Sequence, residues 1–146
     1  MPIATRQAEI VWEGPLASGA GTVSSGSTAF DLPVTWASRT EQPDGKTSPE
    51  ELIAAAHASC FAMALSLVLG ENRTPPDRVA VKAACTLDEV DDAPKITEVA
   101  LTIRARVPDV DQAGFDQAVE QAAGLCPVSN ALRGNVEITV HAELDT

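Results

Sequence analysis

Apolar and polar positions alternate along the first forty residues, which predicts β-strands rather than helices. Segment 7–14 (QAEIVWEG) places every second residue on one apolar face, and the Gly- and Ser-rich segment 18–27 is typical of a turn and a weak strand. Segment 28–38 predicts a third strand, and we expect it at a sheet edge because Pro33 has no N–H to donate to a neighbour. The polar segment 39–48 predicts a loop before the next element.

The apolar spacing then changes, and residues 48–72 predict a long helix. Ser48 is a suitable N-cap, Pro49 suits the first helical position, and Glu51 completes a capping box three residues after the cap. Gly70 is the expected terminator. Beyond its first turn the segment is apolar nearly all round, so we expect this helix to be central, covered by a sheet or by a partner chain.

The second half of the chain returns to alternation and ends with two shorter helical patterns. We predict a long hairpin of strands 77–90 and 95–107, followed by an amphipathic helix over 111–124. A short helix over 126–134 and a final strand over 136–144 complete the chain pattern. In the short helix, Cys126 is the expected cap and Pro127 the first helical residue. Strands, helix, hairpin, two helices and strand in this order predict the α+β class.

Composition narrows the possible functions. A chain of 146 residues predicts one domain, residues 1–146, and its net charge of -11, from 10 basic and 21 acidic side chains, disfavours nucleic acids and anionic lipid surfaces as partners. No secretion signal and no run of about 18 apolar residues is apparent, so we expect no membrane partner. Three cysteines in such a chain indicate a reducing compartment, and we expect the cytoplasm.

The three cysteines differ in their expected chemistry. A thiol becomes a nucleophile as a thiolate, which a helix N-terminus or a nearby cation stabilises, and Cys126 has the helix start. Cys60 lies roughly three turns inside its helix, so its reactivity requires a cation, and otherwise it is a small core residue. Cys85 lies in a regular strand pattern and is expected in the core. The residues alone therefore rank Cys126 above Cys60 in reactivity.

Arg39 and Glu50 are the candidate charged partners of Cys60. Arg39, at the start of the loop before the helix, is the best-placed cation. Since the capping box already accounts for Glu51, Glu50 is either free to hold Arg39 or simply a solvated carboxylate. A continuous helix separates Glu50 from Cys60 by about 15 Å along its axis. Either Arg39 spans that gap, or Glu50 serves the site of a partner chain.

His57 lies one helical turn before Cys60 and has three interpretations. It can act as a base for Cys60, ligate zinc, or make a structural hydrogen bond to a backbone carbonyl, which we favour. Zinc ligation by His57, Cys60 and Cys126 lacks a fourth ligand, because His141 lies in a regular strand, and the Cys–His spacings match no common zinc pattern. We therefore expect neither a metal nor another cofactor.

Two motifs resemble the OsmC/Ohr family of thiol-dependent hydroperoxide reductases, and its OsmC branch in particular. They are TSPEELIAAAHASCFAMALSLVLG around Cys60 and CPVSNAL from Cys126, with WEG near the start of the chain. The resemblance runs nearly end to end. It implies an OsmC-like fold with antiparallel sheets around long central helices, in an intertwined homodimer, which accounts for the all-round apolar helix.

The resemblance also implies roles for individual residues. Cys60 matches the peroxidatic cysteine, Cys126 the resolving cysteine, Arg39 the arginine that polarises the thiolate, and Glu50 the acid that orients it. This assignment reverses the order of reactivity that the residues alone predict for Cys60 and Cys126. A low pKa at Cys126 still agrees with a resolving role, because a low-pKa thiolate leaves readily when the disulfide is reduced.

The implied reaction reduces an organic hydroperoxide to an alcohol. A Cys60 sulfenic acid would condense with Cys126 to a disulfide, which an external dithiol, lipoyl-type or small, would reduce. One alternative is a non-catalytic dimer of the same fold that binds an apolar ligand. The other is the zinc-binding protein described above.

Overall fold

A computed structural model describes residues 1–145 of the chain. By its internal contacts the chain divides into two compact units, the first covering Met1–Leu52 and the second beginning at Ile53. Each unit carries one three-stranded sheet, so both sheet and helix are present as the α+β prediction requires.

The first unit contains an antiparallel sheet in the order β1-β2-β3. Its strands are β1 (Ala8–Glu13), β2 (Ala20–Ser25) and β3 (Asp31–Val34). The edge position predicted for β3 is confirmed: β3 pairs only with β2 among the described strands, and Pro33 lies in it opposite Thr22.

A short helix, α1 (Trp36–Thr40), replaces the end of the predicted third strand and the start of the predicted loop. The Thr35 hydroxyl accepts the Ser38 N–H at 3.0 Å and the Ser38 hydroxyl accepts the Thr35 N–H at 3.0 Å, so both orphan donors are satisfied. The strand prediction was wrong here because this reciprocal cap outweighs the β-propensity of the Thr and Trp pair.

Helix α2 (Pro49–Glu71) is the long helix that the sequence predicts. The Ser48 hydroxyl accepts the Glu51 N–H at 3.1 Å, but the Glu51 carboxylate accepts the Thr47 hydroxyl at 2.8 Å, so only half of the expected capping box forms. The helix also continues through Gly70. Arg73, at φ 63°, takes the left-handed position expected of a terminating glycine.

The second unit contains the rest of α2 and all later elements. These are β4 (Arg78–Val90), β5 (Ala93–Arg106), α3 (Gln112–Leu125), α4 (Pro127–Leu132) and β6 (Glu137–Leu144). The predicted hairpin is confirmed: β4 and β5 pair antiparallel, and Asp91 (φ 53°) and Asp92 (φ 63°) form the two-residue turn.

The antiparallel pairing expected of the sheets is found everywhere except at β6, which pairs parallel with β5. Helices α3 and α4 intervene between the two strands and provide the crossover that a parallel pair requires. The second sheet is therefore mixed, in the order β4-β5-β6.

The core of the second unit forms between one face of α2, the sheet and α3. Its fully buried large side chains include those of Phe61, Leu65, Leu69, Leu101, Ile103 and Phe115. Other apolar α2 residues stay exposed within the chain, with Met63 at 72% and Leu67 at 55%. Helix α2 is long and apolar enough to cross a membrane by length and composition alone, and the core helices of soluble proteins share this property. The sequence contains no uninterrupted apolar run of that length, so this property was not expected.

Candidate active site

Arg39 and Glu50 form a bidentate ion pair within the first unit. Arg39 Nε donates to Glu50 Oε1 at 2.9 Å, and an Arg39 terminal nitrogen (Nη2) donates to Glu50 Oε2 at 2.8 Å. The Glu50 residue is only 6% exposed. Two parallel charge-assisted hydrogen bonds fix the plane and the direction of the guanidinium, which one point contact would not do.

Neighbouring residues hold Arg39 in this position. The guanidinium carbon lies 5.9 Å from the centre of the Trp36 ring, and the buried Ser38 hydroxyl donates to the Thr47 carbonyl at 2.8 Å, tying α1 to the residue before the Ser48 cap. The hydrogen bond to Glu50 raises the pKa of Arg39 against the opposing effect of burial. Arg39 is thus a permanent, oriented cation.

An apolar pocket of about 350 Å³ opens beside this pair, within the first unit. Its lining is dominated by aliphatic and aromatic side chains, with Arg39 as its charged member: Ile10, Trp12, Leu16, Val23, Val34, Trp36 and Leu52. A hydrocarbon group can therefore be bound here next to a fixed positive charge.

Cys126 occupies the cap of α4, as predicted, and is fully buried at 0% exposure. Its sulfur accepts the backbone N–H of Ser129 at 3.4 Å. Burial raises the pKa of this thiol, but hydrogen bonds from the Ser129 side chain and backbone, from Cys60 and from the Val128 backbone outweigh it, so the pKa is lowered overall.

Cys60 interacts directly with Cys126 and has the opposite pKa direction. Burial raises the pKa of the Cys60 thiol, a hydrogen bond from the Val128 backbone lowers it, and the Cys126 side chain raises it further through its hydrogen bond and its charge. None of these influences is a cation. Within the second unit the acidity of the two thiols therefore follows the ranking made from the residues alone.

His57 is also fully buried, and its partner was not anticipated. Its Nε2 lies 2.7 Å from the Ser129 hydroxyl, while its Nδ1 has no hydrogen-bond partner among the described residues. The favoured interpretation, a bond to a backbone carbonyl, was wrong, because the α4 cap brings the Ser129 hydroxyl to the ring. Burial lowers the pKa of His57, so the imidazole is neutral at pH 7.

The structure thus brings together Arg39 with Glu50 in the first unit, and Cys60 with Cys126 in the second. Cys85 is half-buried against the core, as expected. Within residues 1–145 no three His, Cys, Asp or Glu side chains converge as metal ligands. Ser129 is the site residue that sequence reasoning missed, and its only signal was its position three residues after the Cys126 cap.

Comparisons with known proteins identify the family. The family model described as OsmC-like protein matches residues 42–141. The chain is 43% identical over 134 residues to Peroxiredoxin OsmC of Escherichia coli K12, covering 91% of this chain and 92% of that protein. It is 34% identical over 106 residues to Organic hydroperoxide resistance protein-like 1 of Staphylococcus epidermidis, covering 71% and 75%.

Solved structures agree with the sequence comparisons. The organic hydroperoxide resistance protein OhrB of Bacillus subtilis matches with a TM-score of 0.70 at 28% identity, covering 94% of this chain and 98% of that one. A Legionella pneumophila OsmC structure matches in fold with a TM-score of 0.76, at 22% identity and covering 98% and 99%. The fold and the names of these relatives define the class as an oxidoreductase. The chain belongs to the OsmC-like family, and it is an enzyme of the peroxidase type.

Proposed function

We propose that this enzyme reduces organic hydroperoxides to alcohols through Cys60 and Cys126. The observation that carries the proposal is the direct interaction of the two thiols in the core of the second unit. Names of the relatives, among them the organic hydroperoxide resistance protein of Xanthomonas axonopodis, support the substrate class.

The proposed reaction has two thiol steps. The Cys60 thiolate attacks the distal oxygen of ROOH, the O–O bond breaks, and protonation of the leaving oxygen gives ROH and a Cys60 sulfenic acid. Cys126 then attacks the Cys60 sulfur, the S–O bond breaks, and the products are a disulfide and water. An external dithiol reduces the disulfide by thiol–disulfide exchange.

Arg39 and Glu50 are proposed as the source of the positive charge that Cys60 requires. The groups that shift the Cys60 pKa include no cation, and burial opposes its ionisation. Arg39, oriented by Glu50, would stabilise the thiolate and the developing charge on the peroxide oxygens. The apolar pocket beside Arg39 supports a preference for organic hydroperoxides over hydrogen peroxide, since it would bind the R group.

We further propose a homodimer, in line with the resemblance. Support comes from the exposed apolar side chains of α2, because Met63 and Leu67 border a surface groove together with Pro76 and Val79. A second copy of the chain that covers this face would bury the apolar area left open in one chain. The proposal treats residues 1–146 as one functional domain, because the matched segment 42–141 includes residues of both units.

The reductant is proposed to be a lipoyl-type or small dithiol in the cytoplasm. The cycle needs a reducing compartment, since each turnover ends with a disulfide. The net charge of -11 disfavours anionic reductants and favours neutral ones.

Counting thiols tests the function. Free thiols per chain would be measured before and after one equivalent of cumene hydroperoxide, in wild type and in Cys60→Ser, Cys126→Ser and Cys85→Ser. We expect wild type and Cys85→Ser to lose two thiols, Cys60→Ser to lose none, and Cys126→Ser to form a trappable sulfenic acid. Unchanged thiols in wild type would favour the non-catalytic apolar-ligand binder.

A further inference from the structure

A buried polar path leads from α2 to the resolving thiol. His57 is 0% and Ser129 2% exposed, and His57 Nε2 lies 2.7 Å from Ser129 Oγ. Both the Ser129 hydroxyl and the Ser129 backbone N–H interact with the Cys126 sulfur. Buried polar groups cost stability unless they are satisfied, so a His–Ser–Cys path through an apolar core suggests a role beyond packing.

One hydrogen assignment gives this path its direction. A serine hydroxyl has one hydrogen, and we assign it to the Cys126 sulfur, whose backbone partner is Ser129 N–H at 3.4 Å and whose ionised form a Ser129 side-chain hydrogen bond favours. The 2.7 Å contact with His57 must then be a bond in which Nε2–H donates to the Ser129 oxygen. This tautomer leaves Nδ1 as a bare lone pair, and Nδ1 is the atom without a partner among the described residues.

The core cluster that contains Cys126 otherwise consists of apolar residues, together with the half-buried Cys85 of β4. The titratable groups that face Cys126 are Cys60 and, through Ser129, His57, both from α2. Strand β5 and helix α3 contribute Val99, Phe115 and Ala122 to the same core cluster, and Val128 and Leu132 of α4 pack against it. Among the residues that shift the Cys126 pKa, Ser129 contributes the side-chain hydrogen bond that does not involve Cys60.

We propose that His57 and Ser129 are positioning residues for the resolving step: His57 orients the Ser129 hydroxyl, and that hydroxyl holds the Cys126 sulfur as a nucleophile for oxidised Cys60. This inference rests on the proposed function. The Cys126 sulfur forms the S–S bond, the Cys60 S–O bond breaks, and the departing hydroxide takes up the proton released by the Cys126 thiol to form water. His57 remains neutral throughout and is neither oxidised nor reduced.

Single-turnover kinetics separate this step from the first one. After one equivalent of cumene hydroperoxide, Cys60 oxidation and disulfide closure would be followed separately, with dimedone trapping the open sulfenic acid. We expect Ser129→Ala to oxidise Cys60 no more slowly than wild type, because a less ionised Cys126 raises the Cys60 pKa less. The variant should close the disulfide about tenfold more slowly, as for one lost hydrogen bond to a charged group, and should give more dimedone adduct. Ser129→Thr keeps the hydroxyl and should restore closure.

A second pair of variants tests His57. His57→Leu removes the donor and should slow closure, whereas His57→Gln, whose amide can donate to Ser129, should restore it. Asn130→Ala is the matched structural control, because Asn130 bonds Gly124 and Arg133 around α4 without being part of the path. If a loosened α4 were enough to slow disulfide closure, Asn130→Ala would slow it as well, and that result would overturn the inference.

The pH dependence of closure distinguishes the path from mere packing. Since the Ser129 hydroxyl lowers the pKa of Cys126, its removal should move the midpoint of the closure rate to higher pH. At this stage Cys60 is a sulfenic acid and carries no thiolate, so Cys126 is the ionising sulfur. A slower rate with an unshifted midpoint would contradict the proposal.

The ¹⁵N NMR spectrum of reduced wild type provides a measurement that needs no variant to fold. We expect His57 to be neutral at pH 7 with its proton on Nε2, and a proton on Nδ1 would overturn the inference. Wild type without any Cys60 oxidation would overturn the proposed function and this inference together. Normal Cys60 oxidation with wild-type closure in both Ser129→Ala and His57→Leu would overturn this inference alone.

Discussion

At the scale of single residues, the two thiols differ in acidity because their surroundings differ. Cys126 receives hydrogen bonds from Ser129 and Val128 that lower its pKa, whereas burial raises the pKa of Cys60. A resolving cysteine with a low pKa also leaves readily when the disulfide is reduced. In the proposed reaction Cys60 is the peroxidatic thiol, and it needs a cation that is absent from the groups that shift its pKa.

Replacing Glu50 with Gln should therefore slow the proposed first step, the oxidation of Cys60 by the hydroperoxide. The change keeps the shape of the side chain but removes the charge that orients Arg39, so we expect slower Cys60 oxidation, by about tenfold or more. The free energy of unfolding should fall by about 1–3 kcal/mol. We expect a value at the low end of this range, because the Arg39 side chain is 29% exposed and solvent screens its charge. Stopped-flow oxidation and urea unfolding measure the two effects.

Glu51→Gln is the matched control, since Glu51 is exposed and bonds Thr47 rather than Arg39. If Glu50→Gln oxidised Cys60 at the wild-type rate, Glu50 would have no role in the proposed site.

His57 should make the fold sensitive to mild acid. Burial lowers the pKa of His57 in the folded protein below the ordinary 6.5. As pH falls, the unfolded chain therefore takes up the His57 proton at a higher pH than the folded protein does. The contribution of His57 to stability is present above pH 6.5 and is lost as pH falls below that value, with a slope of at most about 1.4 kcal/mol per pH unit. Urea unfolding at pH 7.5 and 5.5 should show a larger loss in wild type than in His57→Gln. Equal losses would mean that the imidazole is charged in the folded state.

At the scale of elements, the β4–β5 hairpin tolerates two aspartates where its turn favours Asn and Gly. Both Asp91 and Asp92 have positive φ values, which cost an L-residue energy, and they place two negative charges side by side. Asp91→Asn with Asp92→Gly should raise the free energy of unfolding by about 1 kcal/mol. Asp88→Asn removes a neighbouring charge without changing the turn and serves as the comparison in urea titrations. A gain of equal size in Asp88→Asn would assign the effect to charge alone.

Elements whose signals are local could be predicted from the sequence. Helix α2, the α4 cap at Cys126 and the hairpin each depend on residues close together in the chain. The α1 helix was missed because a strand pattern continues through Trp36, and only the reciprocal Thr35–Ser38 cap decides against it. The parallel pairing of β6 and the contact between His57 and Ser129 depend on residues far apart in sequence, and no spacing encodes them.

At the scale of the whole molecule, the proposed dimer offers two chains as the source of the Arg39 that acts on a given Cys60. Mixing inactive Cys60→Ser with inactive Arg39→Met distinguishes these two sources. If Arg39 acts across chains, the mixed dimer contains one intact site, and about half of the wild-type activity per mixed dimer should return. If Arg39 acts within its own chain, every site stays defective and no activity returns. Size-exclusion chromatography with light scattering confirms that mixed dimers form.

The parallel pairing of β5 with β6 has a consequence for newly made protein. Cys126 lies on the crossover between these strands, so its place beside Cys60 is secured only when the last strand has joined the sheet. During translation, Cys60 emerges from the ribosome well before that moment. A nascent chain whose Cys60 became oxidised would carry a sulfenic acid with no resolving thiol at hand, and further oxidation to sulfinic acid would be irreversible. In the proposed cycle, the joining of β6 to β5 is therefore the event that makes oxidation of Cys60 repairable.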